Sequence, residues 1–314
     1  MAGAQPVVGI LSIGEMGLGI ANLLISHGYR VVTYAEDRSK STRDRAQSIN
    51  IELLSSIKEL ASLSAVILSI VPPKDALTTA QRVHEQTPNT RDNPIYYLDL
   101  NATAPSLATH TDDLLSSNKN IVYLDGGIIG GPPRKVSTDT ETTWATPSLV
   151  VSGPTQLPYS DLARTLNIDH VSSRIGAASG VKLCFASTTK GFFALAIQSY
   201  VTAESMGVFP ELRKYMGKHN PQTLEIADKG VVGMPPKAYR WVNEMQQIGE
   251  MMEREGGFGK GLFESVAEVY RVVAEDTALG LEKTGRRERG TSVEDVVAVM
   301  REGMNSTQKK EKSD

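Results

Sequence analysis

"VVGILSIGEMGLGIANLL", Val7 to Leu24, sets a short apolar run directly against a glycine-bearing turn and an amphipathic stretch. A strand ending at Ile13, a tight turn and a helix from about Met16 would aim unpaired backbone N–H groups at a pyrophosphate. In the G-x-G-x-x-G register the first glycine position is Ser12, followed by Gly14 and Gly17. Gly14 lets phosphates approach the backbone and Gly17 lets helix and strand pack closely. Serine is compatible with the tight-turn position if its φ is negative. The other register, Gly17-x-Gly19, would start the turn inside the helical stretch and is rejected. Ser12, Ile13, Gly14, Glu15 and Met16 are therefore the candidate phosphate loop.

A second strand, "YRVVTYA" (Tyr29–Ala35), ends where ribose recognition belongs, about 20 residues after the loop. Glu36 or Asp37 would accept from a ribose 2′-OH and favour NAD, whereas Arg38, Ser39 and Arg43 would hold a 2′-phosphate. The cluster of cationic and hydroxyl groups tips the expectation to NADP, with NAD as the alternative.

Working outward, further apolar runs stand at Ser64–Val71, Ile95–Leu100, Ile121–Gly127 and Ser148–Gly153, with amphipathic stretches among them. This pattern predicts an α/β, Rossmann-type doubly wound parallel sheet. From about Gly176 helical spacing takes over, in 180–207, 237–256 and 262–283. The expected organisation is a nucleotide-binding domain over 1–174, an all-α domain over 175–303 and a disordered polar tail over 304–314. The helix from Gly180 is too long and apolar for the surface of a monomer, so it is expected to form an interdomain axis or an oligomer face.

Composition removes other classes. With 33 basic and 36 acidic residues among 314 the net charge is -3, which offers no basic field for nucleic acid. The single cysteine, Cys184, allows no internal disulfide, and the five histidines have no metal-ligand spacing. No uninterrupted apolar run approaches a membrane span and the N-terminus lacks the order of a signal peptide. A cytoplasmic protein with no metal, membrane or nucleic-acid partner is expected.

Several segments, in order, resemble the β-hydroxyacid dehydrogenase and 6-phosphogluconate dehydrogenase superfamily, which also contains the imine reductases. They are "SIGEMG" for the phosphate loop, "SIVPP" (Ser69–Pro73), "DLNATAP" (Asp99–Pro105), "DGGIIGG" (Asp125–Gly131) and "IGAASGVK", ending at Lys182. The wording is similar to a 6-phosphogluconate dehydrogenase-like branch with a distinct C-terminal helical domain. The resemblance implies NAD(P)-dependent oxidoreduction of a small molecule in a cleft between domains, and a homodimer built through the helical half. It also implies cofactor contacts at Val71, Pro72 and Asn101.

The resemblance further implies that Lys182 manages the proton of the alcohol or amine, a role that requires lowering its pKa from about 10.4. Where the family has a carboxylate-binding serine this chain has Ile129. Four residues past the lysine, where the family has asparagine, it has Ala186. With Gly130, Pro132 and Pro133 nearby, the expected pocket is apolar and suited to a carbonyl or imine. Lys190 is a second contributor, and Tyr239, with Trp241 and Met245, is expected to close the pocket. Two other readings stand beside this one. One is a 3-hydroxy acid dehydrogenase in which Lys190 or Arg240 replaces the lost carboxylate contacts, and the other a non-catalytic NADP(H)-binding protein.

Overall fold

A computed structural model describes residues 5–35, 40–88, 90–137 and 142–311, the side chains of 41–42 and 306–311 excepted. It divides into two compact units, Met1–Leu183 and Cys184–Asp314. The first contains β1 (Val8–Leu11), α1 (Glu15–Ser26), β2 (Val31–Tyr34), α2 (Lys40–Ser48), β3 (Glu52–Leu54), α3 (Ile57–Leu63), β4 (Val66–Ser69) and α4 (Ala76–Gln86). It continues with β5 (Ile95–Asp99), α5 (Pro105–Leu115), β6 (Ile121–Ile129), β7 (Arg134–Ser137), β8 (Thr142–Ala145), β9 (Ser148–Ser152), α6 (Ser160–Thr165) and β10 (Ile168–Ser172). The long helix α7 (Ala177–Ser205) follows, and the unit division falls within it.

Eight strands form one sheet in the order β10-β9-β6-β5-β4-β1-β2-β3, parallel throughout except where β6 meets β9. The chain lays β2 and β3 on one side of β1, then returns to pair β4 with its other side. That reversal opens a crevice outside the carboxyl ends of β1 and β4. Alternation along the strands feeds two cores. Val8, Ile10, Val66 and Leu68 pack with α1 and α2, while Leu11, Val32 and Ile67 pack with α3, α4 and α5.

β1 ends at Leu11, two residues earlier than the sequence suggests, because Ser12 takes φ 79. The expectation of a negative φ is thus corrected. The turn carries the Ser12 carbonyl beneath the first turn of α1, so a β-carbon at position 17 would stand 2.2 Å from the Ser12 oxygen. Gly17 is the residue that permits this approach.

The six strands read from sequence are present; β3, β7, β8 and β10 are additional. The expected division at 174/175 falls instead after Leu183, because the first turns of α7 pack on the sheet. The second unit carries the rest of α7 with α8 (Phe209–His219), α9 (Pro221–Gly233), α10 (Ala238–Gly256), α11 (Gly261–Glu275) and α12 (Val293–Glu311). The last helix continues through most of the polar segment expected to be a disordered tail from 304, which is corrected to that extent.

By length and composition α7 is also apolar enough to cross a membrane, with a mean hydropathy of 1.2 over an 18-residue window, a third of it buried in the protein. Its apolar positions are interrupted by polar ones such as Lys182 and Ser187–Lys190, so it is not an uninterrupted apolar run.

Replacing Ser12 by glycine removes a left-handed residue with a β-carbon, a conformation that costs about 1–2 kcal/mol. Ser12→Gly is expected to raise the urea midpoint of the full chain and Gly17→Ala to lower it. A lowered midpoint for Ser12→Gly contradicts the assigned turn.

Candidate functional site

Backbone hydrogen bonds stitch the loops at the carboxyl edge together. The Ile70 N–H donates to the Leu11 carbonyl at 3.1 Å and the Leu100 N–H to the Ser69 carbonyl at 3.0 Å. The phosphate loop, Val71 and Pro72, and Asn101 therefore follow three neighbouring strands, β1, β4 and β5. Gly14 precedes α1 with extended backbone and no side-chain cap, so the helix start keeps unpaired N–H groups beside an exposed glycine. Glu15 is exposed and Met16 half-buried; the Ile13 side chain is sealed in the core, leaving only its backbone to face a ligand. An uncapped helix start behind a close strand-helix approach fits a pyrophosphate.

Beneath these loops lie two buried carboxylates. The tripeptide Tyr-Leu-Asp occurs at 97–99 on β5 and again at 123–125 on β6, and the pairing register places Asp99 beside Asp125. Asp99 accepts from the Asn101 backbone N–H at 3.2 Å and from the Asn101 amide. The same amide also donates to Ser69 Oγ at 3.2 Å. Burial first, then the neighbouring Asp125 charge, pushes Asp99 up to about 7 against the pull of the Asn101 hydrogen bonds.

Asp125 accepts from the Ser179 N–H at 3.0 Å, from the Ser179 hydroxyl, and from Ser152 Oγ at 2.9 Å; Ser152 in turn accepts from the Ala178 N–H at 2.9 Å. Burial raises the Asp125 pKa and these donors oppose it. The orphan N–H groups at the start of α7 thus end on a β6 carboxylate and a β9 hydroxyl.

One turn further along α7 stands Lys182. Its stem lies flat on Gly127 of β6: a β-carbon at position 127 would be 2.6 Å from Lys182 Cβ and 2.9 Å from Cγ. Lys182 is half-buried, and its stem crosses β6 two residues past Asp125, where that strand overruns the carboxyl end of β5. Ile129 is half-buried at the end of β6 and Gly130 turns the chain with φ 117. Pro132 and Pro133, expected to line a pocket, pack over Gly19 of α1 instead. A proline pair after a turning glycine has to lie on the nearest apolar surface, and here that is the helix.

Arg38 and Ser39, with Glu36 and Asp37, lie outside the described residues. Next to them Tyr34 ends β2 with the Arg82 guanidinium 5.9 Å from its ring centroid. A depression of about 310 Å³ opens there, lined by Tyr34, Ser55, Ser56, Arg82 and Glu85 among others.

Three further candidates belong to the second unit. Ala186 is buried in α7. Lys190 is ion-paired with Glu244 and lies 4.9 Å from the Trp241 ring centroid, both partners being largely buried. Its expected role toward a substrate is corrected on this ground, since the charge is already matched by a carboxylate. Tyr239 is 70% exposed, whereas Trp241 and Met245 are core residues, Trp241 stacked on Phe193 and edge-on to Tyr270. The expected aromatic closure is therefore corrected to a packed aromatic cluster with Tyr239 outside it. Among the described residues no group of three or more His, Cys, Asp or Glu is placed to hold a metal.

Reading the sequence missed the positioning roles of Asp99, Asp125, Ser152, Ser179 and Gly127. The repeated Tyr-Leu-Asp was the available signal, because two acids closing apolar strands at matching places imply a buried pair. Nothing local marked Ser152 and Ser179.

The class that this sheet and its loops define is a Rossmann-type nicotinamide-nucleotide domain with an appended helical region. Residues 7–140 match the NAD binding domain of 6-phosphogluconate dehydrogenase and residues 203–273 a domain of unknown function (DUF1932). The chain is 23% identical over 244 residues to an uncharacterised 28.5 kDa protein of Methanothermus fervidus, covering 76% of this chain and 89% of that one. Its fold is similar to Mycobacterium tuberculosis 3-hydroxyisobutyrate dehydrogenase, with TM-score 0.67 at 15% identity over 95% of this chain and 99% of that one. It is also similar to a reductive aminase from Aspergillus terreus, with TM-score 0.56 at 17% identity over 93% and 99% of the two chains. Residues 7–140 thus match an NAD-binding domain of the 6-phosphogluconate dehydrogenase type, and the fold of the chain is that of the 3-hydroxyisobutyrate dehydrogenase and the reductive aminase.

Two outcomes follow from the geometry. Gly127→Ala is expected to lower the melting temperature, because Lys182 Cβ is fixed to the α7 backbone, so strand and helix have to separate to admit a β-carbon. The raised Asp99 pKa means that the folded state keeps a proton which the unfolded chain has lost between about pH 4 and about pH 7. Stability therefore falls as pH rises through that window. Melting temperature against pH is expected to decline less in Asp99→Asn than in the natural chain.

Proposed function

We propose that this protein is an NADP-dependent oxidoreductase that exchanges a hydride between the nicotinamide and a small carbonyl/alcohol or imine/amine pair, with Lys182 managing the proton. The observation that carries the reading is the Lys182 stem laid on Gly127, on the strand next to the one that leads into Asn101. The cofactor supplies the hydride; the chain does the rest. The uncapped start of α1 and the Ser12–Gly14 turn hold phosphate, and Asn101 faces the nucleotide from the end of β5. Lys182, as an ammonium, donates a proton to the oxygen or nitrogen that gains the hydride, and recovers it in the reverse direction.

The Aspergillus terreus enzyme was captured with NADPH4, cyclohexanone and allyl amine, which supports an uncharged carbonyl or imine here. Ile129 and Ala186, standing where the family uses polar groups, favour the same class. Oxidation of a 3-hydroxy acid loses support because Lys190 is committed to Glu244. Arg38, Ser39 and Arg43 support NADP over NAD. The proposed setting is the cytoplasm, as a homodimer through the helical region, with no nucleic-acid, membrane or metal partner. Exposed Phe185, Leu195 and Ile226 on α7 and α9 support the dimer.

Purified protein is expected to perturb NADPH fluorescence, and its failure to do so removes the reading. Lys182→Ala is expected to lower kcat by about 10²–10⁴-fold while leaving NADPH affinity within about threefold. Undiminished turnover would remove lysine from the proton path. Arg38→Ala is expected to weaken NADPH and spare NADH; an equal effect on both refutes the NADP assignment.

A further inference from the structure

Asn101 is 3% exposed at the end of β5. Each of its donors is turned inward. The backbone N–H and the amide Nδ2 go to Asp99 Oδ1, and Nδ2 also goes to Ser69 Oγ. Its third polar atom, Oδ1, is buried with no hydrogen-bond partner among the described residues. A buried carbonyl oxygen without a donor is costly, and a site that keeps one has a use for it. The alternative amide orientation would set Oδ1 against the Asp99 carboxylate, acceptor on acceptor. Asp99 therefore decides which end of the amide is left over, and what is left over is an acceptor.

We infer that Asp99 is a positioning residue, which acts through Asn101 to present an amide oxygen to a hydroxyl hydrogen on the nicotinamide-side ribose of the bound nucleotide. The inference rests on the nicotinamide-nucleotide reading above and deepens it. The groups around Asp99 are consistent with a switchable orientation. Asp125 stands in register on β6, Tyr97 lies on its own strand, Tyr123 faces it from β6 and Ser69 from β4. Burial and Asp125 raise Asp99 to about 7, while both tyrosines are held neutral by burial. A protonated Asp99 can donate to Asn101 Oδ1 and use up the acceptor. Presentation is then lost as pH falls through about 7.

The test compares dissociation constants for NADPH and for 2′,5′-ADP, which contains the adenosine half with its 2′-phosphate and lacks the nicotinamide ribose. Asp99→Leu is expected to weaken NADPH by about five- to tenfold and to leave 2′,5′-ADP unchanged. Relative to Asp99→Asn, the ratio of the two constants in the natural chain is expected to shift against NADPH as pH falls through about 7. In Asp99→Asn, which cannot titrate at this position, only the 5′-phosphate monoester that 2′,5′-ADP carries and NADPH lacks, with its second pKa of about 6, is left to change the ratio. Using the ratio cancels titration of the shared 2′-phosphate.

Equal weakening of both ligands by Asp99→Leu, or unchanged NADPH affinity, overturns the inference and leaves the functional reading standing. A natural chain that binds neither ligand overturns both. Should Asp99→Leu not fold, Asp99→Asn decides alone, and a ratio that shifts with pH equally in that variant and in the natural chain overturns the inference.

Discussion

A carboxylate closed off from water among apolar strands has to find donors, and those of Asp125 include the Ser179 N–H, the Ser179 hydroxyl and the Ser152 hydroxyl. The need runs both ways. The first turn of α7 has N–H groups with no helical partner, and a negative charge at a helix start is favourable. Strand and helix answer each other's deficit, and the outcome is a fixed origin for a 29-residue helix. The first turns of α7 take their position from that joint. Lys182 comes one turn later, and the bare backbone of Gly127 leaves room for its stem.

The same sheet edge holds the second acid in a different state. Asp99 has the Asn101 amide and backbone N–H as donors, where Asp125 has a helix start and two hydroxyls. Two neighbouring carboxylates in one buried register repel, and the less well supplied member holds its proton to higher pH. The chain keeps this arrangement at a cost in stability, as sites that handle protons and ligands commonly do. The tight turn at Ser12 belongs to the same pattern: a left-handed serine is retained where glycine would be easier. Local rules are broken at the crevice edge and obeyed in the strands beneath it.

Much of the fold was legible because its signals are local. Six strands, the turn at Gly14, and helices α10 and α7 announce themselves by periodicity and by where glycine falls. β3 has three residues and β10 is half-exposed, so neither accumulates enough pattern to be read. The site was legible as single residues and illegible as a network. Lys182 and Asn101 could be picked out, whereas Asp125, Ser179 and Gly127, which set the course of the Lys182 helix, come together only through strand-to-helix contacts such as that of Asp125 with Ser179, 54 residues apart. Charged and aromatic residues of the helical region misled for a related reason. Lys190 and Trp241 look like pocket residues along the chain, yet the helices turn them toward Glu244 and Tyr270.

The brevity of β3 bears on the protein's behaviour in a crowded solution. An open sheet has two outer strands whose unpaired backbone groups can recruit a strand from another molecule, the first step toward intermolecular aggregation. At one border this sheet offers only Glu52, Leu53 and Leu54, with Glu52 held in a two-pronged hydrogen bond by Arg30. Three residues beginning with a paired charge give an incoming chain almost no template, so this border resists self-propagating association.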